Sequence, residues 1–232
     1  MHGFVICPVQ PRIPKYRAQT PPQIILETWN MTTVFAVHGK LSGVFATKAE
    51  AVEAAGDFHT PLIKPFPNAT EAFLFLQPFL QAAAVVYTDG ACVGNGKLGA
   101  RAGVGVFWAK GHPLNISRPV KGAPTNNVAE LEAIEDALDQ IFASPLLCRA
   151  TVVVVSDSEY SIKCLRQWFS GFVAREWRTT SGAPVKNRDL LERLHAKLMA
   201  LPGVHLAHVR GHVGHAGNEA ADALAGAGIP AP

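Results

Sequence analysis

The chain has no apolar run approaching the roughly 18–20 residues needed to cross a bilayer; its longest, such as Val152–Val155, are strand-sized. A soluble chain without a membrane partner is therefore predicted. Cysteine pairing is also missing. Cys7, Cys92, Cys148 and Cys164 form no CxxC spacing and no even framework, which predicts free thiols in a reducing, intracellular compartment. Charge is sparse, at 17% of residues, and the net value of +3 permits a polyanionic partner without requiring one. Acids are scarcest at the start, where Arg12, Lys15 and Arg17 face only Glu27. Low acidity suits an organellar transit peptide, but Pro8, Pro11, Pro14, Pro21 and Pro22 oppose the helix such a peptide needs. Residues 1–31 read as a disordered or targeting tail, with Met31 as a candidate second start. Nucleus and cytoplasm, or mitochondrion, both stay open.

What is present is a core-forming composition, 48% hydrophobic over 232 residues, enough for a medium domain with a small companion. The small unit, 32–79, reads as ββαβα: alternating Thr32–Val37, a turn between Gly39 and Gly43, then Val44–Phe45. A short helix over Lys48–Ala55, a strand at Leu62–Ile63 and a helix capped by Asn68 or Thr70 complete it. A larger unit, 83–228, opens with a strand at Ala84–Tyr87, followed by strands at Gly103–Trp108 and Asn115–Val120. Thr125 and Asn126 cap a helix over Val128–Phe142, whose Leu131, Ile134, Leu138 and Ile141 recur at helical spacing. Thr151–Val155 has the pattern of a strand buried on both faces. Helices from Ser158, around Asp189–Leu201 and from Asn218 enclose a strand at Val204–Val209. Three strands followed by alternating helix and strand predict a mixed α/β sheet.

This layout brings four carboxylates to one sheet edge. Asp89 follows the first strand, Glu130 opens a helix where the macrodipole favours negative charge, Asp157 ends the buried strand, and Asp222 lies early in the closing helix. Gathered carboxylates repel and resist ionisation unless cations intervene. Hard divalent ions with oxygen ligands resolve the conflict, and two of them about 4 Å apart serve in-line phosphoryl displacement. His212 and His215 do not make a zinc site, for want of further ligands at suitable spacing.

Four segments carry a resemblance: Tyr87-Thr88-Asp89-Gly90-Ala91, Thr125-Asn126-Asn127-Val128-Ala129-Glu130, Ser156-Asp157-Ser158 and Gly211-His212-Val213-Gly214-His215-Ala216-Gly217-Asn218-Glu219-Ala220-Ala221-Asp222. In order and spacing they resemble the motifs of type 1 ribonuclease H. Gly105-Val106-Phe107-Trp108 followed by Gly111-His112-Pro113-Leu114-Asn115 is similar to the eukaryotic form. The resemblance implies an RNase H-like fold, a mixed five-stranded sheet with helices on both faces. It implies an endoribonuclease acting on the RNA strand of RNA/DNA hybrids and leaving 5′-phosphate and 3′-hydroxyl ends. Asp89, Glu130, Asp157 and Asp222 would hold a pair of Mg²⁺ ions, with Mn²⁺ as an alternative. His212 would assist proton transfer or product departure.

By the same resemblance, Cys92, Asn95 and Asn126 face the RNA strand, where the 2′-hydroxyl separates RNA from DNA. Thr125, Thr180 and Asn187 would grip a DNA phosphate, with Tyr160 lining that channel. The family's arginine two residues before that threonine is replaced by Ala123, leaving Lys121 as a substitute. Residues 163–197 carry a net charge of +5 with Trp168, Phe172 and Trp177 interleaved, suited either to packing on sugars or to supporting a protruding helix.

Val34-Phe35-Ala36-Val37 and Ser42-Gly43-Val44-Phe45 resemble the hybrid-binding, viroplasmin-like domain that precedes many eukaryotic ribonucleases H. The match is divergent: Lys48 stands where a tryptophan is usual, and residues 32–76 carry a net charge of −1. This unit is expected either to bind hybrid weakly or to meet a protein partner. The alternative function for the whole chain is a catalytically idle scaffold in a ribonucleoprotein; a complete carboxylate set, with its repulsion, argues against it.

Overall fold

Thr47 begins the first helix with a reciprocal cap: its hydroxyl accepts from the Glu50 amide, and the Glu50 carboxylate accepts from the Thr47 amide at 3.0 Å. That cap fixes α1 at Lys48–Ala55, the predicted span. The computed structural model describes residues 33–39, 41–56 and 61–231; the predicted tail, 1–31, lies outside them. In the small unit, β1 (Val34–His38) pairs antiparallel with both β2 (Gly43–Phe45) and β3 (Leu62–Phe66), and α2 (Ala69–Gln81) starts from the Asn68 cap. Alternation along β1 sends Val34 and Ala36 towards Ala72 and Leu76 of α2. Val37 turns the other way, towards Ala51, Ala54 and Ala55 of α1. The ββαβα order is as predicted.

The larger unit is a five-stranded mixed sheet. Strand β4 (Ala84–Val93) pairs antiparallel with β5 (Arg101–Phe107), which pairs antiparallel with β6 (Ile116–Pro119). On its other side β4 runs parallel to β7 (Val152–Ser156), and β7 parallel to β8 (Val204–His208). Val152 to Val155 are fully buried, as their unbroken apolar run predicts.

Helices cover both faces. On the first lie α3 (Asn126–Ala143), α4 (Glu159–Lys163), a π-helical turn (Cys164–Trp168), α5 (Phe169–Ala174) and α6 (Arg188–Ala200). On the second, α7 (Ala216–Ala227) rests against β4 and β5, where its Gly217 backbone meets the Tyr87 ring. Leu62 and Phe79 of the small unit join Tyr87, Val153, Val155, Ala207, Val209 and Ala221 in one buried cluster on that second face. Only Ala82 and Ala83 separate α2 from β4, and the Ala83 amide donates to the Thr151 carbonyl.

Two local expectations are corrected. The strand predicted to stop at Tyr87 continues to Val93, so Asp89 sits within β4, opposite Gly105. Asp89-Gly90 looks like a turn, but Gly90 serves close packing: a Cβ there would lie 2.2 Å from the Glu130 amide nitrogen. Helix α3 begins at Asn126, which puts Glu130 in the second turn, with no acid in the first. Its position owes little to the macrodipole, whose effect fades within one turn.

Candidate active site

Asp89 on β4, Glu130 on α3 and Asp157 just after β7 each offer a carboxylate oxygen within 4.8 Å of the others. Asp222 on α7 stands beside this triad, close enough to Asp89 to push its carboxyl up. Two glycines permit the approach. Gly90 lets α3 rest on β4, and Gly211 lets the loop after β8 pass Asp157, whose Oδ2 would lie 2.3 Å from a Cβ at that position.

Electrostatically the cluster is unfinished. Asp89 is 6% exposed and Glu130 5%. Burial, then repulsion from Asp157, push the Asp89 carboxyl up to about 8, against the Gly90 amide that favours its charge. Glu130 is raised well above the ordinary glutamate range, first by burial and then by Asp89 and Asp157. Among the described ion pairs none reaches any of the four acids. Oε2 of Glu130 is buried without a hydrogen-bond partner. Oxygen donors gathered without a counter-charge suit a hard divalent cation, so the residues fit such a group.

Asn218 is the functional-looking residue that sequence reasoning missed. It is 1% exposed, its Nδ2 donates to Asp157 Oδ2 at 3.0 Å, and its Oδ1 has no partner. The available signal was an amide side chain between Gly217 and Glu219 in the first turn of the helix that carries Asp222. His212 lies exposed in the loop between β8 and α7, with a left-handed φ of 54°. It neighbours Gly211 at the Asp157 side of the cluster.

The residues expected to face RNA come together at the start of α3. Asn95 Oδ1 accepts from the Asn126 amide, and Cys92 Sγ lies 3.4 Å from the Pro124 carbonyl. Thr125 caps α3 through its hydroxyl. On the opposite flank, Asn187, the left-handed N-cap of α6, donates to the Tyr160 hydroxyl at 3.4 Å. Burial pushes the Tyr160 phenol up to about 12. An open cleft of about 630 Å³ is lined by Lys121, Ala123, Asn187, Arg188 and Arg193, among others. Thr180 is exposed in the turn that follows Thr179, and no described hydrogen bond links it to Thr125 or Asn187.

The aromatic stretch divides. Trp168 is 40% exposed, but Phe172 at 8% and Trp177 at 9% belong to the main core. Of the two roles expected for these rings, Phe172 and Trp177 therefore take support. Phe172 lies edge-on to Trp168, while Trp177 meets Phe169 edge-on and carries the Arg188 guanidinium 5.1 Å above its ring. Charge in this stretch is also partly spent. Lys163 pairs with Glu159, Arg188 with Glu192, Arg193 with Glu135, and Lys197 with Glu135 and Asp139.

A protein-family model described as RNase H matches residues 81–230. The chain is 34% identical to Ribonuclease H1 of Homo sapiens over 202 residues, covering 81% of this chain and 67% of that protein. It is 43% identical to Ribonuclease H of Schizosaccharomyces pombe over 142 residues, covering 61% and 51%. The chain thus spans about half the length of the yeast relative, and the same holds for Ribonuclease H1 of Rattus norvegicus. Among solved structures, a foamy viral protease-reverse transcriptase in complex with RNA/DNA hybrid matches with a TM-score of 0.54 at 22% identity, covering 65% of this chain and 20% of that one. A second, in complex with dsDNA, gives 0.53 at 23%, covering 63% and 94%. At that identity these two establish the fold alone.

Proposed function

The chain belongs to the ribonuclease H family, and from that premise we propose that it hydrolyses the RNA strand of RNA/DNA hybrids endonucleolytically, leaving 5′-phosphate and 3′-hydroxyl ends. The observation that carries the reading is the uncompensated cluster of Asp89, Glu130 and Asp157, with Asp222 beside it. A pair of Mg²⁺ ions held there, or Mn²⁺ in their place, would supply an activated water and stabilise the leaving oxygen. Asn218, by donating to Oδ2, restrains the direction of the Asp157 carboxylate at the cluster. Gly90 holds Glu130 against β4 at backbone distance. His212, exposed on the loop after β8, would carry a proton or help product leave.

Strand selection follows from the two flanks. Cys92, Asn95 and Asn126 form the RNA side, where small polar groups and backbone can meet 2′-hydroxyls. Thr125, Asn187, Tyr160 and Thr180 form the DNA side, with Lys121 at the cleft in place of the arginine that Ala123 lacks. Trp168 offers the open aromatic face. An idle scaffold would have no reason to keep buried acids unneutralised, and no observation favours that alternative. The setting proposed is intracellular; mapping mature N-termini in cells would decide between nucleus and cytoplasm and mitochondrion.

Cleavage of a labelled RNA/DNA duplex by the wild-type chain and by Asp157→Asn tests the proposal. Wild-type cleavage that the variant loses supports it; equal activity in both, or none in either, rejects it.

A further inference from the structure

We propose that the N-terminal unit is a fixed half of the catalytic sheet's second layer, and that its Lys64 is a positioning residue for the active-site edge. The inference rests on the nuclease reading above for what is being positioned, but its structural part stands separately.

The second face of the sheet needs two covers. Helix α7 supplies one, lying on β4 and β5 so closely that a Cβ at Gly105 would meet the Ala221 carbonyl at 2.1 Å. It leaves the β7–β8 half to something else. Strand alternation points Val153, Val155, Ala207 and Val209 to that half, and Val153, Val155 and Val209 are at 0% exposure. Leu62 at 0% and Phe79 at 3% bury them, with Phe75 packed alongside. A substrate-capturing arm would need slack and positive charge. Here the link is Ala82 and Ala83, pinned by a hydrogen bond to Thr151, and the unit's net charge is −1.

Lys64 is one of the few cations of that unit, and it points inward. Its ammonium lies 4.7 Å from the Phe75 ring centre and donates to the His208 carbonyl at the end of β8. The His208 ring Nε2 lies 3.1 Å from the backbone carbonyl of Asp157, and the Val209 amide donates to Ser156, one residue before it. A short path therefore runs from a half-buried cation of the small unit, through the end of β8, to the backbone that presents a cluster carboxylate. A cation bonded to a carbonyl in a half-buried site holds that strand end more firmly than a neutral donor would.

The test uses the full chain. Calorimetry of the wild type should show one unfolding transition for both units; a separate, earlier transition of the small unit would overturn the fixed-half assignment. Lys64→Met should lower kcat roughly threefold to tenfold with KM for hybrid within about twofold, and speed hydrogen exchange at the Val209 amide. Lys64→Arg should restore part of both. An unchanged kcat together with unchanged exchange overturns the positioning role, as does a raised KM at constant kcat, which would mark a capturing arm. Melting and exchange need no cleavage, so an inactive wild type would sink the nuclease reading without obscuring this one.

Discussion

Glu130 and Glu132 lie two residues apart on α3, each about 5% exposed, and they live in opposite electrostatic worlds. At 100° per residue they face different sides of the helix. Glu132 is fully compensated: it accepts from Arg118 Nη1 at 2.8 Å and from the Lys121 and Gly122 amides, while Arg118 Nε reaches Asp136 at 2.7 Å. Glu130 meets the Gly90 amide and otherwise other acids, with no cation beside it; it keeps an orphaned oxygen and is driven towards its neutral form. Burial alone does not separate a structural carboxylate from one that awaits a ligand. The presence or absence of a counter-charge does.

The largest effect expected from this contrast is on chemistry. Asp157→Asn should reduce hybrid cleavage on the order of 10³-fold, with thermal stability held or raised as repulsion is relieved. The comparison breaks if Glu132→Gln, in folded protein, costs as much activity.

Stability should show the mirror image. Glu132→Ala removes one of the two carboxylates on Arg118 and strands the Lys121 and Gly122 amides, and denaturant unfolding should register a loss of about 3 kcal/mol. Glu130→Gln in chelator should lose nothing. Equal destabilisation by the two would erase the distinction.

A pH titration sharpens it next. Asp89 is raised from its ordinary 3.8 to about 8 in the fold. The protonated form is thus the one the fold prefers. Its stabilisation is complete below the unfolded value of 3.8 and is lost as pH climbs through about 8. In chelator the melting temperature should fall across that window, and a divalent cation should reverse the fall while releasing protons. A flat profile in chelator would show that the cluster is compensated after all. The smallest effect expected is at Trp168, where Trp168→Ala should raise KM for hybrid about fivefold with kcat unchanged, the loss of about 1 kcal/mol of aromatic contact; an unchanged KM removes this ring from the interface.

How far the sequence carried the reading depended on whether a feature was local. The valine run at 152–155 and the caps at Asn68 and Thr125 are short-range signals, and a strand and two helices formed there, α3 starting two residues before the predicted Val128. The four carboxylates were legible because strand ends and helix starts converge on one edge of a mixed sheet. That Asp89 lies inside its strand was not legible, because Asp89-Gly90 reads equally as a turn and as a close packing contact, and only the partner helix decides. Phe172 and Trp177 were ambiguous for the same reason: aromatic rings among basic residues suit either a surface or a core, and α6 and α5 settle it by covering them. The bond from Lys64 to His208 spans 144 residues and leaves no trace in either neighbourhood.

The gauge of the catalytic jaws is set at Gly90 by what that residue does not carry. With hydrogen as its only side chain, the Glu130 amide can sit where a Cβ would otherwise intrude at 2.2 Å. A methyl group at position 90 would work as a shim, prising the glutamate bearing away from the two aspartate bearings at once. Every acid would still be there, and the mouth they form would be too wide to bite.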